Sequence, residues 1–162
     1  MWVVYGSIYR VCFINVREIV FKMKVLFVCR GNVGRSQMAT ALFVRYSGYE
    51  ASSAGTKVFE KEGQKLKDIF LAEPVIRLMK KEGIDIEENA RTQLTPLMIE
   101  EFDKIIVMAE SETIPEYLHQ SNKAEFWNIE DPKGMSDKCY EKIIFQIKSK
   151  LNLFIKENIS HE

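Results

Sequence analysis

Side chains that hold metals or staple small folds are scarce in this sequence. Of 162 residues, two are histidine, His119 and His161, and three are cysteine, Cys12, Cys29 and Cys139, with no Cys-x-x-Cys pair. Neither a zinc site nor a disulfide framework is indicated, and no cofactor is implied. A reducing cytoplasm is the compartment in which a lone reactive thiol would stay usable. Charge of one sign is lacking as well, since 23 Lys and Arg balance 23 Asp and Glu without an acidic or basic block. The electrostatic footprint of a nucleic-acid binder is therefore missing. Long apolar runs are absent too. The nearest approach lies in the first 22 residues, where Trp2-Val3-Val4-Tyr5 and Val11-Cys12-Phe13-Ile14 are broken up by Arg10, Asn15, Arg17 and Glu18. That is too short and too interrupted to span a bilayer, and its basic residues come too late for a secretion signal. Residues 1–22 read as an N-terminal extension outside the core, with an added edge strand or hairpin as their simplest structure. No nucleic-acid or membrane partner is expected, and the oligomeric state is left open.

What the chain does have is one stretch of concentrated chemistry, Cys29-Arg30-Gly31-Asn32-Val33-Gly34-Arg35-Ser36. The run before it, Lys24-Val25-Leu26-Phe27-Val28-Cys29, is β-branched and aromatic without polar alternation, which predicts a strand buried on both faces. After it, Met38, Leu42 and neighbouring alanines repeat at helical spacing. Between them lie two glycines and an asparagine, residues that tolerate positive φ. A strand, tight loop and helix in this order can turn successive backbone N–H groups inward at the positive end of a helix dipole, where an oxyanion is held without any metal. A cysteine at the first position of such a loop would carry a stabilised thiolate and act as a nucleophile at neutral pH. Arg35 can grip two oxygens of a phosphoryl group in a fork, and Ser36 can donate a hydrogen bond to the sulfur. Asn32 reads as a brace that bonds its own loop in a left-handed conformation. Alone, a cysteine ending a buried strand is a small core residue. Its company makes Cys29 and Arg35 the candidate catalytic pair, and Arg30, Gly31, Asn32, Val33, Gly34 and Ser36 the candidate substrate-binding loop.

The remainder alternates strands and helices. A second strand is expected near Tyr49–Gly55, a surface loop from Lys57 to Lys67, a helix opened by Glu73-Pro74 and stopped at Gly83, and a short helix capped by Thr95 ahead of Pro96. Lys104–Met108 reads as another buried strand, Glu112–His119 as helix and Phe126–Ile129 as strand. The run Tyr140, Ile143, Ile144, Ile147, Leu151, Phe154, Ile155 marks a C-terminal helix packed on the core. This order predicts an α/β domain, an open parallel sheet with helices on both faces and the phosphate loop between its first strand and first helix.

The Cys-x-x-Asn-x-x-Arg-Ser pattern after Val25-Leu26-Phe27-Val28 resembles the phosphate loop of the low-molecular-weight protein tyrosine phosphatases and of the related thioredoxin-coupled arsenate reductases. The likeness continues in Ser53-Ala54-Gly55-Thr56, Ala90-Arg91-Thr92-Gln93-Leu94, Phe102–Met108 and Asp131-Pro132, which sets the expected domain at residues 23–160. The resemblance implies a cysteine-dependent phosphomonoester hydrolase, by family default a protein tyrosine phosphatase. It would act on a phosphorylated protein or a small aryl phosphate through a cysteinyl-phosphate, without a metal. Such a reaction leaves an oxyanion that needs a proton. Asp131 follows a predicted strand, so its loop should open at the same sheet edge as Cys29, although an Asp-Pro pair is also an ordinary turn and Glu130 stands next to it. The resemblance assigns the acid role to Asp131.

The chain also departs from the family pattern. Gly34 stands where many members carry a second, protective cysteine, and Met108 where the reductases place a relay cysteine. Arg35-Ser36-Gln37-Met38-Ala39 is closer to the reductases, whereas Val33 replaces the threonine of a phosphoarginine-specific relative. Lys133-Gly134-Met135 follows the Asp-Pro where phosphotyrosine enzymes often place tyrosines. Two alternatives accompany the phosphatase reading: arsenate reduction resolved by an external thiol, and a module that binds phosphoryl groups without turning them over.

Overall fold

Val25-Leu26-Phe27-Val28-Cys29 is apolar at every position, and in the computed structural model, which describes residues 23–159, all five are buried as strand β1 (Val25–Cys29). The expected extension over 1–22 lies outside the described residues. The chain continues as α1 (Arg35–Ser47), β2 (Ala51–Gly55), α2 (Glu73–Lys81), α3 (Pro96–Glu101), β3 (Lys104–Val107), α4 (Glu116–His119), β4 (Ala124–Phe126) and α5 (Asp137–Asn158). The four strands are parallel in the order β2-β1-β3-β4, with Cys29 opposite Gly55, Val28 opposite Val107, and Val107 opposite Phe126.

Period-two alternation sends β1 into two cores at once. Val25, Phe27 and Cys29 pack with Met38, Leu42 and Phe43 of α1, Val75 and Met79 of α2, and the apolar stripe of α5. Leu26 and Val28 pack on the other side with Leu94, Leu118, Ile105 and Val107, near α3 and α4. Helices therefore cover both faces, as the alternation of elements predicts. The larger core is knitted by rings: Phe27 meets Phe43 at 5.6 Å and Trp127 at 6.2 Å, and Phe154 of α5 lies 6.1 Å from each of those two. Tyr140, Ile143, Ile144, Ile147, Leu151 and Phe154 are all buried, so the α5 stripe is core. Removing one of its branched side chains should cost about 2–5 kcal/mol.

Three local expectations are corrected. The last strand is Ala124–Phe126 rather than Phe126–Ile129. It is an edge strand with Glu125 and Phe126 exposed, so apolarity does not mark it, and the buried Trp127 and Ile129 belong to the chain after it leaves the ladder. The final rung is Trp127 N–H to Val107 O at 2.8 Å. Glu112–His119 is not one helix, because Pro115 is extended and separates a 3-10 turn at Ser111–Thr113 from α4. Thr95 does precede α3 in an extended conformation, but its side chain makes no capping hydrogen bond.

Candidate active site

All four strands end on one edge of the sheet, and β1 lies between β2 and β3, so the connections leaving β1 diverge there. In open α/β sheets that crevice is where ligands collect. Cys29 is the last residue of β1, and the loop 30–34 carries the chain from it into the 13-residue α1. The loop's carbonyls are tied down by neighbours. Cys29 O accepts Thr56 N–H and Arg30 O accepts Lys57 N–H, each at 2.9 Å. Gly31 O accepts Arg91 Nε–H at 2.8 Å, and Asn32 O accepts Gln37 Nε2 at 3.3 Å. Among the described residues the N–H groups of Gly31, Asn32, Val33 and Gly34 donate to no protein acceptor. Four unspent donors at the N-terminus of a helix make a cradle for an oxyanion.

Asn32 braces the cradle as anticipated. It is left-handed at φ 53° and fully buried. Its Nδ2 donates to Ser36 Oγ at 2.9 Å and to Ser53 Oγ at 2.8 Å, while Oδ1 accepts Thr92 N–H at 2.8 Å. Ser36, also fully buried, places Oγ 3.1 Å from Cys29 Sγ, where its hydroxyl can donate to a thiolate. Asn32 and Ser36 thus stand behind the loop. Cys29, Arg30, Gly31, Val33, Gly34, Arg35 and Asp131 line one cleft of about 570 Å³.

Arg35 is 3% exposed and tethered from the β3–β4 side. Its Nη1 donates to Met108 O and, at 3.0 Å, to Ile129 O. Nη2 lies 2.7 Å from Glu110 Oε1 and 3.1 Å from Asp131 Oδ2. Among the described residues Nε–H donates to no protein acceptor, which leaves it to an anion. The Asp131 carboxylate is fixed in a tight turn, its Oδ1 accepting Lys133 N–H at 3.2 Å, with Pro132 buried beside it. Glu130 is exposed and lines a neighbouring recess rather than the cleft around Cys29.

The sequence reading left out several residues that shape this site. Glu110 is one: burial alone would raise its pKa, yet its own backbone N–H and the Arg35 guanidinium hold it below the ordinary carboxylate value. Arg91 is another, 8% exposed and strapped to Gly31 and to Gln64 Oε1 at 3.4 Å. Burial pulls its pKa down, against the charges of Cys29 and Glu60. Gly55 is required by close approach, because a Cβ there would lie 2.6 Å from Val58 Cγ2, 2.8 Å from Arg30 O and 2.9 Å from Asn32 N. Gly34 has no such need; its φ is −108° and a Cβ would meet only Val75 at 3.7 Å. Finally, an aromatic wall does exist. Tyr140 of α5 and Phe59 line the cleft, Tyr140 with its pKa pushed up by burial and by the nearby Asp131. Only Gly55 and Arg91 were signalled in advance, as members of quoted blocks; Glu110 and Tyr140 carry no local motif.

Comparison with known proteins agrees with this geometry. The family described as low molecular weight phosphotyrosine protein phosphatase matches residues 24–162. The low-molecular-weight protein tyrosine phosphatase of T. tengcongensis superposes with a TM-score of 0.73 at 28% identity, covering 84% of this chain and 99% of that one. Vibrio vulnificus Wzb, solved with benzylphosphonate, gives a TM-score of 0.70 at 23% identity over 84% and 99% of the two chains, a likeness of fold. A Staphylococcus epidermidis arsenate reductase is 26% identical over 136 residues, 82% of this chain and 96% of its own. With a family match over nearly the whole described fold, and a cysteine and arginine framing an anion cradle at the end of β1, the protein belongs to the low-molecular-weight phosphotyrosine protein phosphatase family and is a hydrolase of that type.

Proposed function

We propose that the protein removes phosphate from phosphotyrosine, in proteins or in small aryl phosphates, through a covalent phosphate on Cys29. The Cys29 thiolate attacks phosphorus in line with the leaving oxygen. As the P–O bond breaks, Asp131 gives its proton to that oxygen. Asp131, now a carboxylate, takes a proton from a water that attacks the cysteinyl-phosphate; the S–P bond breaks, inorganic phosphate leaves and the thiolate is restored. Charge on the three transferring oxygens is met by the N–H groups of the loop and by Arg35, preorganised donors of the kind that supply most of such rate enhancements.

The observation that carries this reading is the 3.1 Å pair between Arg35 and Asp131 in the cleft that Cys29 also lines. Residues 96 positions apart in sequence thereby meet in that cleft, which supports an anion grip and a proton carrier working beside one sulfur. An arriving phosphoryl dianion draws the Arg35 charge to itself and releases Asp131 to serve the leaving group. The aromatic wall of Phe59 and Tyr140, with Ile69, Leu71 and Val75, supports an aryl ester over an alkyl one. Cys29→Ser should abolish hydrolysis of an aryl phosphate yet retain phosphate or vanadate binding, since the cradle and Arg35 survive. Residual turnover within about tenfold of the parent, against the loss expected when a covalent nucleophile is removed, would sink the covalent route.

The arsenate reductase among the relatives favours one second reading, in which the same cradle takes arsenate. Of the two described cysteines, Cys29 lines the cleft and Cys139, on α5 with its sulfur 3.5 Å from Ser136 Oγ, does not, so this reading takes an external thiol to resolve the Cys29 adduct. Glutathione- or dithiol-dependent arsenite production is the test.

A further inference from the structure

The cleft carries more positive charge than a phosphoryl group requires. Six of its lining side chains are cationic, Arg30, Arg35, Lys57, Lys61, Arg91 and Lys133, against the carboxylates of Glu60 and Asp131. The chain as a whole is neutral, so this excess is local. Two of the six are committed inside the protein: Arg35 to Asp131 and Glu110, and Arg91 to the loop carbonyl of Gly31. The other four are exposed, and among the described residues none of them is in an ion pair. The Lys57 ammonium stands over the Phe59 ring, 5.9 Å from its centroid. Lys65 and Lys67, only a few positions beyond Lys61, behave differently: both are paired with Glu88. Among the described residues the four rim cations make no ion pair, while the adjoining lysines share one carboxylate.

These four cations arise from three separate places in the chain: the phosphate loop, the segment after β2, and the turn after Asp131. The same cleft also has an apolar lining, the buried Val75 and Tyr140, the half-buried Ile69 and the exposed Leu71. A volume of about 570 Å³ exceeds a bare phosphate and suits an aryl side chain with the main chain on either side of it. An apolar wall for a ring and exposed cations for what flanks it call for an extended ligand with acidic groups around its phosphorylated residue.

We infer that the preferred substrate is a polypeptide segment whose phosphotyrosine is flanked by aspartate or glutamate, read by Arg30, Lys57, Lys61 and Lys133. The inference rests on the phosphatase reading above and narrows its substrate class. Rim charges of this kind act on encounter and on KM, and fade as salt screens them.

The test uses three phosphotyrosyl peptides of equal length, flanked by aspartates, by alanines or by lysines, together with a small aryl phosphate. Expected is a kcat/KM for the acidic peptide about tenfold above the alanine peptide at low salt, the scale of two or three exposed ion pairs. The gap should lie in KM and close as salt rises to about 0.5 M. In Lys61→Glu/Lys133→Glu, the ratio of acidic-peptide to aryl-phosphate kcat/KM should fall and the preference shift toward the lysine peptide. Equal rates for the three peptides, or a salt-independent difference, would overturn the inference. Failure to hydrolyse the aryl phosphate would instead overturn the phosphatase reading. The order of peptide affinities for Cys29→Ser, measured by calorimetry, would still decide whether the rim selects acidic flanks.

Discussion

Two charged clusters in this protein are mirror images. Beside the cleft, one cation, Arg35, stands between two carboxylates, Glu110 and Asp131. On the surface, one carboxylate, Glu88, stands between two ammonium groups, Lys65 and Lys67. Contact lengths overlap, 2.7 Å from Arg35 to Glu110 and 2.7 Å from Lys65 to Glu88, so distance does not rank them. Exposure does: the Arg35 side chain is 3% exposed and the Glu88 side chain 64%. Around Glu88 water can replace either partner, and such pairs contribute little. The Arg35 guanidinium is closed to water even though Glu110 and Asp131 are partly exposed, and among the described residues Glu110 Oε2 is buried with no protein hydrogen-bond partner. A buried polar atom left unsatisfied marks a place where stability has been given up, and here it adjoins the groups that would meet the phosphoryl oxygens.

The comparison breaks most visibly on activity. Arg35→Ala should lower kcat/KM for an aryl phosphate by about 10³-fold, the upper range for losing one preorganised donor. Lys65→Ala/Lys67→Ala should leave it within about twofold, as expected of exposed pairs outside the cleft. Similar losses in both would mean that buried and exposed clusters are equivalent here. Asp131→Asn comes next. For substrates with poor leaving groups the rate should drop by about 10²-fold or more, and for good leaving groups far less, because only the former need a proton as they depart. A uniform loss across a leaving-group series would remove Asp131 from the acid role and leave it as a partner of Arg35.

How much of this was legible in advance follows from how local each signal is. The phosphate loop is local: Cys29, Asn32, Arg35 and Ser36 occupy eight consecutive positions, and strand and helix periodicity flank them, so loop and first βα unit could be read directly. The α5 stripe was legible for the same reason. What eluded the sequence is contributed across the sheet. Glu110 follows β3 and acquires meaning only because Arg35 leans toward that strand end, where it also meets Met108 O. Tyr140 reaches the cleft from α5, so its place in the helical stripe read as core alone, while Lys133-Gly134-Met135 stand where phosphotyrosine enzymes often have tyrosines. The edge strand β4 was misplaced because its exposed Glu125 and Phe126 carry no burial pattern.

Gly55 shows how such a contact can be tested away from the charges. It faces Cys29 across the ladder, and the phosphate-loop backbone passes so close that Arg30 O and Asn32 N leave no room for a methyl group. Gly55→Ala should destabilise the fold by about 1–3 kcal/mol, as overpacking does. Because two of the three clashing atoms are loop backbone, it should also weaken vanadate binding. Gly34→Ala, with only an ordinary 3.7 Å contact to Val75 and a negative φ, should do neither. Chemical denaturation and a vanadate titration on both variants check the pair. Equal behaviour would show that the loop is mobile enough to absorb either methyl.

The smallest effect belongs to the surface cluster and concerns acid. Hydrogen bonds from Lys65 and then Lys67 lower the Glu88 pKa from 4.5 to about 2. A carboxylate whose folded value lies below its unfolded value stabilises the fold above the unfolded value and loses that contribution as pH falls through the folded one. Glu88→Gln should therefore leave the acid limb of the stability curve slightly flatter between about pH 4.5 and 2 at low salt. At about 0.5 M salt the difference should vanish, because the pair is fully open to screening. Glu110 is also held below the ordinary value, so its contribution disappears in the same direction. Glu110→Gln differs in where the partner sits. With Arg35 buried, its effect should survive the added salt. Thermal unfolding of the two variants across this pH range, at both salt concentrations, measures the contrast. If salt erased both effects equally, burial would not be what separates the two clusters.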